Sequence, residues 1–145
     1  MKDSATVLIV ENDSNDKDLV LLAFKKLEVV EKIKVVEDGS EALDYIFGRG
    51  EFFGNKSKND LKFILLDLKL PKVNGLSVLE QLKSDDRTKM IPVVILTSSR
   101  QEDDIQKAYE LNANSYIVKP VDFDDYSETV KRVGEYWLFT NESPI

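Results

Sequence analysis

Five short apolar segments recur along the chain, each followed by polar residues and then by apolar residues at helical spacing. The first, third and fourth segments contain almost no polar interruption, which indicates strands buried on both faces, as in a parallel sheet. The segments predict strands at residues 6–10, 33–36, 63–66, 91–96 and 115–118.

The segments between and after these strands predict five helices, because their apolar residues recur every three or four positions. Asp38 and Asp122 are predicted helix caps, and Ser99 and Glu102 have the spacing of a capping box. The predicted inward residues are Leu19, Leu22, Ala23, Leu27, Ala42, Leu43, Ile46, Phe47, Leu76, Leu79, Leu82, Ile105, Ala108, Tyr109, Phe123, Tyr126, Val130, Val133 and Trp137. Strict alternation of strands and helices predicts an α/β fold, with a doubly wound five-stranded parallel sheet and five helices. The flavodoxin-like strand order 2-1-3-4-5 is expected.

Residues 48–61 interrupt this alternation and predict a loop insertion within a single domain spanning residues 1–145. The segment is rich in glycine and ends in a polar stretch, which is typical of a surface loop. Phe52 and Phe53 are unusual there. Two interpretations remain open: the loop folds back onto the core, or it binds a partner.

Composition narrows the chemistry that this chain can perform. The 145 residues are 42% hydrophobic and 32% charged, with neither Cys nor His, so thiol chemistry, disulfides and imidazole ligands are excluded. A formal charge of −7 argues against nucleic acid or an anionic membrane as the main partner. No apolar run approaches the roughly 20 residues of a membrane span, and residues 1–4 do not resemble a secretion signal, so we expect a cytoplasmic protein.

Polar residues directly follow four of the predicted strands. Because the carboxyl ends of parallel strands lie at one edge of the sheet, these residues should meet there, at the topological switch point between strands one and three. They are Glu11, Asn12 and Asp13, Asp67, Thr97, and Lys119. Carboxylates suit a hard cation, with Mg²⁺ the first choice. A cation and a lysine would offset the charge repulsion when Asp67 attacks a phosphoryl group, and Thr97, or Ser98 in its place, would supply a hydroxyl.

With these residues, the sequence resembles the receiver domains of two-component response regulators, and the resemblance spans essentially the whole chain. The resemblance implies that Asp67 is the phosphoacceptor and that Thr97 and Tyr116 form a conformational switch. Glu11, Asp67 and the backbone carbonyl of Lys69 would hold the metal, and Lys119 would contact the phosphoryl group. The remaining matches are the loop residues Pro71 and Gly75, and Pro120, which is typically cis in the family.

A finer resemblance is to the small stand-alone regulators paired with bacterial phytochromes. The shared features are the insertion before the third strand, the stretch at residues 114–123, and a last helix that continues through Glu135, Tyr136 and Trp137. This implies phosphotransfer from a sensor histidine kinase, such as a bacterial phytochrome, or from a histidine phosphotransfer protein. The resemblance also implies a signalling domain rather than an enzyme, read out by protein contact or as a homodimer.

One residue departs from the family pattern. Asn12 stands where the family has a second acidic metal ligand, and an amide oxygen coordinates without charge, which lowers the expected Mg²⁺ affinity. Asp13 is a further candidate ligand. The alternative function is therefore a non-phosphorylated pseudo-receiver, an interaction module with a weakened metal site.

Two other functions fit less well. A phosphohydrolase would need a second carboxylate two residues after Asp67, where Lys69 stands. A flavin carrier would place a phosphate against Glu11, Asp13 and Asp16, whose charges would repel it.

Overall fold

The computed structural model describes residues 5–29, 33–55 and 60–144, which form one parallel sheet flanked by helices. The chain start and part of the predicted insertion, residues 56–59, lie outside the described residues. The strands are β1 (Val7–Val10), β2 (Ile33–Val36), β3 (Phe63–Leu66), β4 (Val93–Thr97) and β5 (Ser115–Val118). Their order in the sheet is 2-1-3-4-5, so the predicted fold class and strand order are confirmed.

Five α-helices follow the five strands in turn, with two short additional helical segments. The α-helices are α1 (Ser14–Lys26), α2 (Gly39–Phe47), α3 (Gly75–Lys83), α4 (Glu102–Glu110) and α5 (Phe123–Glu135). A 3₁₀ helix spans Gly50–Phe52, and α5 continues into a π-helix at Tyr136–Thr140. Within the described ranges no helix is long and apolar enough to cross a membrane.

Side-chain caps start most of these helices. The carboxylates of Asp13, Asp38 and Asp122 accept backbone N–H bonds from the first turns of α1, α2 and α5. The capping box predicted at Ser99 and Glu102 is wrong, because α4 begins after Gln101. The Ser99 hydroxyl instead donates to the side chain of Asp104, a bond that local sequence spacing does not encode.

The sheet separates two hydrophobic clusters, because alternate residues of each strand point to opposite faces. Leu8, Val10, Ile64 and Leu66 pack toward α2, α3 and α4. The residues between them, including Ile9 and Leu65, pack toward α1 and α5. All residues of β1, β3 and β4 are buried, as expected for inner strands of a parallel sheet.

Three predicted inward residues are exposed. Leu22, Tyr109 and Phe123 have 40%, 50% and 58% of their surface accessible. Leu22 lies about 200° around α1 from the buried Val20, since successive residues of an α-helix are about 100° apart. Phe123 is the first residue of α5, ahead of the part that packs on the sheet.

The insertion after α2 packs one of its two phenylalanines against α2 and exposes the other. Phe52 packs edge-on against Tyr45, with 5.1 Å between ring centroids. The Asn55 side chain donates to the Tyr45 carbonyl at 2.8 Å, which also ties the segment to α2. Phe53, in contrast, is 88% exposed. The loop therefore folds back through Phe52 and presents Phe53 to solvent.

Candidate functional site

The carboxyl edge of the sheet brings the predicted polar residues together. Val10 and Leu66 are paired in the β1–β3 register, so Glu11 and Asp67, which follow them, lie side by side. Thr97 ends β4, and its carbonyl accepts the Lys119 backbone N–H at 2.7 Å. Four predicted residues from four segments of the chain thus meet at the switch point.

The Lys119 ammonium lies at the centre of this cluster. Its Nζ is 2.9 Å from Glu11 Oε1, 2.6 Å from Asp16 Oδ2 and 3.0 Å from Asp67 Oδ2. The Lys119 side chain is only 9% exposed. It joins three carboxylates, which lie after β1, in the first turn of α1 and after β3.

Asp16 belongs to this cluster, although the sequence indicated only its negative charge beside Glu11 and Asp13 and not a role in the site. The signal was its position in the first turn of α1, three residues after the Asp13 cap, which turns its side chain toward the strand ends. Its contact with Lys119 joins residues 103 positions apart in sequence.

Burial and charge together set the ionisation of the cluster. The pKa of Glu11 is raised to about 7. Burial is the largest cause, the Lys119 hydrogen bond partly offsets it, and the nearby Asp67 charge adds to the rise. Burial opposes the charge of Lys119, but its bonds to Asp16 and Glu11 outweigh this and raise the Lys119 pKa. When all are ionised, three carboxylates facing one ammonium carry a formal charge of −2. The site is therefore electrostatically suited to a further cation.

Asp67 is held in a close-packed loop. It is 7% exposed, and its Oδ1 accepts the Lys69 backbone N–H at 3.3 Å. The Gly75 N–H donates to the Leu68 carbonyl at 2.9 Å, and a Cβ added at Gly75 would lie 2.3 Å from the Asp67 carbonyl oxygen. Pro71 accepts the Gly39 N–H at 3.4 Å. The predicted loop residues thus fix the backbone around Asp67.

The Thr97 hydroxyl is buried without a partner. Thr97 is fully buried, and its Oγ1 makes no hydrogen bond to any residue in the described part of the chain. The neighbouring Ser98 is exposed. Since buried hydroxyls are normally bonded, the Thr97 Oγ1 is suited to a ligand oxygen that arrives at the sheet edge.

Tyr116 contacts both the hydrophobic cluster and the loop after Thr97. Its ring packs against the hydrophobic cluster on the α2–α4 face, and its hydroxyl donates to the Ser99 carbonyl at 3.0 Å. Ser99 in turn donates to Asp104 Oδ2 at 2.5 Å. Burial raises the Tyr116 pKa. Tyr116 therefore connects β5 to the loop that follows Thr97 and to α4.

The remaining predicted metal ligands occupy different environments. Asn12 is exposed beside Glu11. Asp13 is engaged in the α1 cap: its Oδ1 accepts the Asp16 N–H at 2.9 Å. Across residues 5–29, 33–55 and 60–144, no three acidic side chains converge in a metal-binding arrangement. Lys119 lies among the carboxylates instead.

The isomer expected at Pro120 is wrong. The described residues contain no cis peptide bond, so the Lys119–Pro120 bond is trans. The two isomers of a prolyl bond differ by only about 0.5–1 kcal/mol, so the residue pair alone does not determine which one forms.

Fold and site define a flavodoxin-like α/β domain with an acidic, lysine-containing site at its switch point. Residues 7–131 match the family described as the response regulator receiver domain, and the chain belongs to this family.

Two relatives of known name and two solved structures show what the chain is similar to. The chain is 41% identical over 143 residues to the probable methanogenesis regulatory protein FilR2 of Methanothrix harundinacea, covering 99% of this chain and 90% of FilR2. It is 35% identical to response regulator Rcp1 of Synechocystis, covering 95% and 92%. The Mn²⁺-bound structure of Rcp1 has a TM-score of 0.89, covering 96% of this chain and 98% of Rcp1. The phosphorylated cyanobacterial phytochrome response regulator RcpA, 37% identical, has a TM-score of 0.88, covering 98% and 100%.

Proposed function

We propose that this receiver domain takes a phosphoryl group onto Asp67. The observation that carries the proposal is the convergence of buried Asp67, buried Lys119 and the unpartnered Thr97 hydroxyl at one sheet edge. A carboxylate oxygen of Asp67 attacks the phosphorus of a donor phosphohistidine and forms an acyl phosphate. The phosphorus–nitrogen bond breaks, its electron pair returns to the imidazole nitrogen, and the imidazole takes up a proton.

Lys119 and Thr97 act on the transferred group. Lys119 supplies positive charge where the phosphoryl oxygens arrive, and Thr97 Oγ1 donates a hydrogen bond to one of them. The chain thereby reacts with a phosphodonor as a signalling substrate rather than as an enzyme that turns over a separate substrate.

A divalent cation fits the chemistry of the residues present. The carboxylates of Glu11 and Asp67 would hold it, with the Asn12 amide and the Lys69 carbonyl as neutral oxygen ligands and Asp13 nearby. We assign Mg²⁺ because all these donors are oxygens. The cation would offset the charge of the phosphoryl group, and the excess negative charge of the cluster supports its binding.

The phosphodonor and the readout follow from the same chemistry. The donor is a sensor histidine kinase or a histidine phosphotransfer protein in the cytoplasm. Similarity to the phytochrome response regulator RcpA favours a phytochrome kinase as the donor. Phosphorylation would change the Tyr116–Ser99–Asp104 bonds and so alter the α4–β5 surface, for a partner protein or a second copy.

The test is intact mass after incubation with acetyl phosphate, with and without Mg²⁺. We expect a Mg²⁺-dependent phosphoryl adduct in the wild type and in Asp18→Asn, the matched control at an exposed aspartate of α1. Asp67→Asn should give none. An adduct that persists in Asp67→Asn would place the phosphoacceptor elsewhere.

Asn12→Asp separates the receiver from the pseudo-receiver. The added carboxylate should strengthen Mg²⁺ binding in calorimetry, whereas Asn15→Asp adds the same charge at an exposed position of α1 and should do so less. A wild type that forms no adduct, with one restored by Asn12→Asp, would support the pseudo-receiver.

A further inference from the structure

The hydroxyl of Tyr126 is a second buried polar group without a partner. Tyr126 is 3% exposed, and its Oη makes no hydrogen bond within the described ranges. Such a group lowers the stability of this state, because its lost hydration is not replaced. A state that supplies a partner for the hydroxyl would recover that cost. Nothing in the phosphotransfer chemistry above uses it.

Tyr126 lies on the side of the site formed by α1 and α5. It packs in the same cluster as Val20, and Asp16 is one helical turn before Val20 on the same face of α1. Burial raises the Tyr126 pKa, and the charges of Lys119 and Asp16 also act on its hydroxyl. The ring is therefore part of the hydrophobic core, and its hydroxyl lies close enough to the site to interact with the charges there.

The Lys119 ammonium donates hydrogen bonds to Asp16 and Asp67 and pairs with Glu11 at 2.9 Å. An ammonium group has three donors, and three carboxylates already surround this one. A contact between Lys119 and a phosphoryl oxygen therefore requires that one carboxylate be released. Asp16 is the one on a helix rather than at a strand end, and at 24% it is the most exposed of the three.

We propose that the Tyr126 hydroxyl is a positioning group that donates a hydrogen bond to Asp16 when Lys119 turns to the phosphoryl group on Asp67. This inference rests on the proposed function. The exchange gives both the released carboxylate and the orphaned hydroxyl a partner, and it tightens α1 against α5 in the phosphorylated state only.

The test is a double-mutant cycle of Tyr126→Phe and Asp16→Ala. The measured quantity is the affinity for beryllofluoride, an analogue of the phosphoryl group, in the presence of Mg²⁺. Tyr126→Phe should bind it about tenfold more weakly, since a hydrogen bond to a charged group is of that strength. The melting temperature of the unliganded protein should not fall, because the Tyr126 hydroxyl has no partner among the described residues in that state.

The Asp16→Ala background and a control tyrosine show whether the loss of beryllofluoride affinity comes from a bond between Tyr126 and Asp16. In Asp16→Ala, the further change Tyr126→Phe should have no effect on beryllofluoride affinity. Tyr136→Phe, at a half-exposed tyrosine of the π-helix, should match the wild type. An equal effect of Tyr126→Phe with and without Asp16, or no effect at all, would overturn the inference while leaving phosphorylation of Asp67 intact. A wild type that takes neither acetyl phosphate nor beryllofluoride would overturn the proposed function and this inference with it.

Discussion

Two buried threonines show how differently a hydroxyl can contribute to the folded state. Thr88 is 1% exposed, and its Oγ1 donates to the Leu82 carbonyl at 2.7 Å. Thr97 is equally buried, but its Oγ1 has no partner in the described part of the chain. A bonded hydroxyl stabilises the fold, whereas an unbonded one costs the loss of its hydration.

Replacement of each threonine by the isosteric valine should therefore change stability in opposite directions. Thr97→Val should raise the free energy of unfolding of the unphosphorylated protein by about 1 kcal/mol, because no hydrogen bond is lost. Thr88→Val should lower it by about 1–2 kcal/mol, because the Leu82 carbonyl loses its donor. Urea unfolding of the three proteins measures both. If Thr97→Val destabilises as much as Thr88→Val, Oγ1 has a partner in solution and is not reserved for a ligand.

Gly75 shows how the start of one element fixes the site at the end of another. It is the first residue of α3, where alanine would ordinarily be the better helix former. Here an added Cβ would meet backbone atoms, 2.3 Å from the Asp67 carbonyl oxygen and 2.5 Å from the Leu68 Cα. Backbone cannot move aside as a flexible side chain can.

Gly75→Ala should therefore destabilise the protein by about 2–3 kcal/mol, in the range of overpacking a filled core. The destabilisation is expected although alanine has the higher helix propensity. It should also slow phosphorylation by acetyl phosphate, since Asp67 has to shift. Gln81→Ala is the matched control, because Gln81 is exposed on the same helix. Unfolding in urea and intact mass give the two measurements. Equal stability of the two variants would mean that α3 moves freely relative to Asp67.

At the scale of elements, the sequence predicted what local patterns encode. The five strands and the caps at Asp38 and Asp122 follow from apolar periodicity and short-range hydrogen bonding. The strand order came instead from the fold type that strict alternation of strands and helices indicates. The capping box at Ser99 failed because its hydroxyl bonds to Asp104 within the folded α4 region. The roles of Asp16 and of the Tyr126 hydroxyl were missed for two long-range reasons. The Asp16–Lys119 contact joins α1 to the residue after β5, and the burial of Tyr126 depends on packing between α1 and α5.

Across the whole molecule, Lys83 ties the end of α3 to the segment before β4 and to the residue before β5. Its ammonium donates to the carbonyls of Lys89 and Ile91, at 3.0 and 2.8 Å, and to the Asn114 side chain at 3.0 Å. All three acceptors are uncharged. Burial lowers the pKa of Lys83 to about 8, from an ordinary value of 10.5.

The pH dependence of stability should report this lysine. Between about pH 8 and pH 10.5 the unfolded chain keeps a proton that folded Lys83 has lost, so its contribution to stability rises with pH in that window. The free energy of unfolding of the wild type should therefore rise relative to Lys83→Met between these values. Lys25→Met removes an exposed lysine of α1 and is the matched control. Parallel curves for wild type and Lys83→Met would contradict the lowered pKa.

Lys119 connects more of the molecule than any local pattern suggests. A single ammonium joins the end of β1 through Glu11, α1 through Asp16 and the end of β3 through Asp67, and it follows β5. With its charge removed, three carboxylates would remain in a largely buried cluster with no cation among them. Breaking a buried ion pair by removing one partner is strongly destabilising, because the other charge stays buried.

Lys119→Met should therefore lower the free energy of unfolding by about 3–5 kcal/mol in the absence of metal. Saturating magnesium should then raise the melting temperature of Lys119→Met more than that of the wild type, because the cation supplies the missing positive charge to the carboxylates. Lys89→Met is the matched control, because the ion pair between Lys89 and Asp86, with 3.1 Å between Nζ and Oδ1, is exposed to solvent. Loss of this pair should cost under about 1 kcal/mol and leave the magnesium response unchanged. Calorimetric melting of the three proteins, with and without magnesium, measures both effects. If magnesium stabilises Lys119→Met no more than wild type, the cation does not bind among these carboxylates, and the metal ligands must be sought elsewhere on the acidic edge.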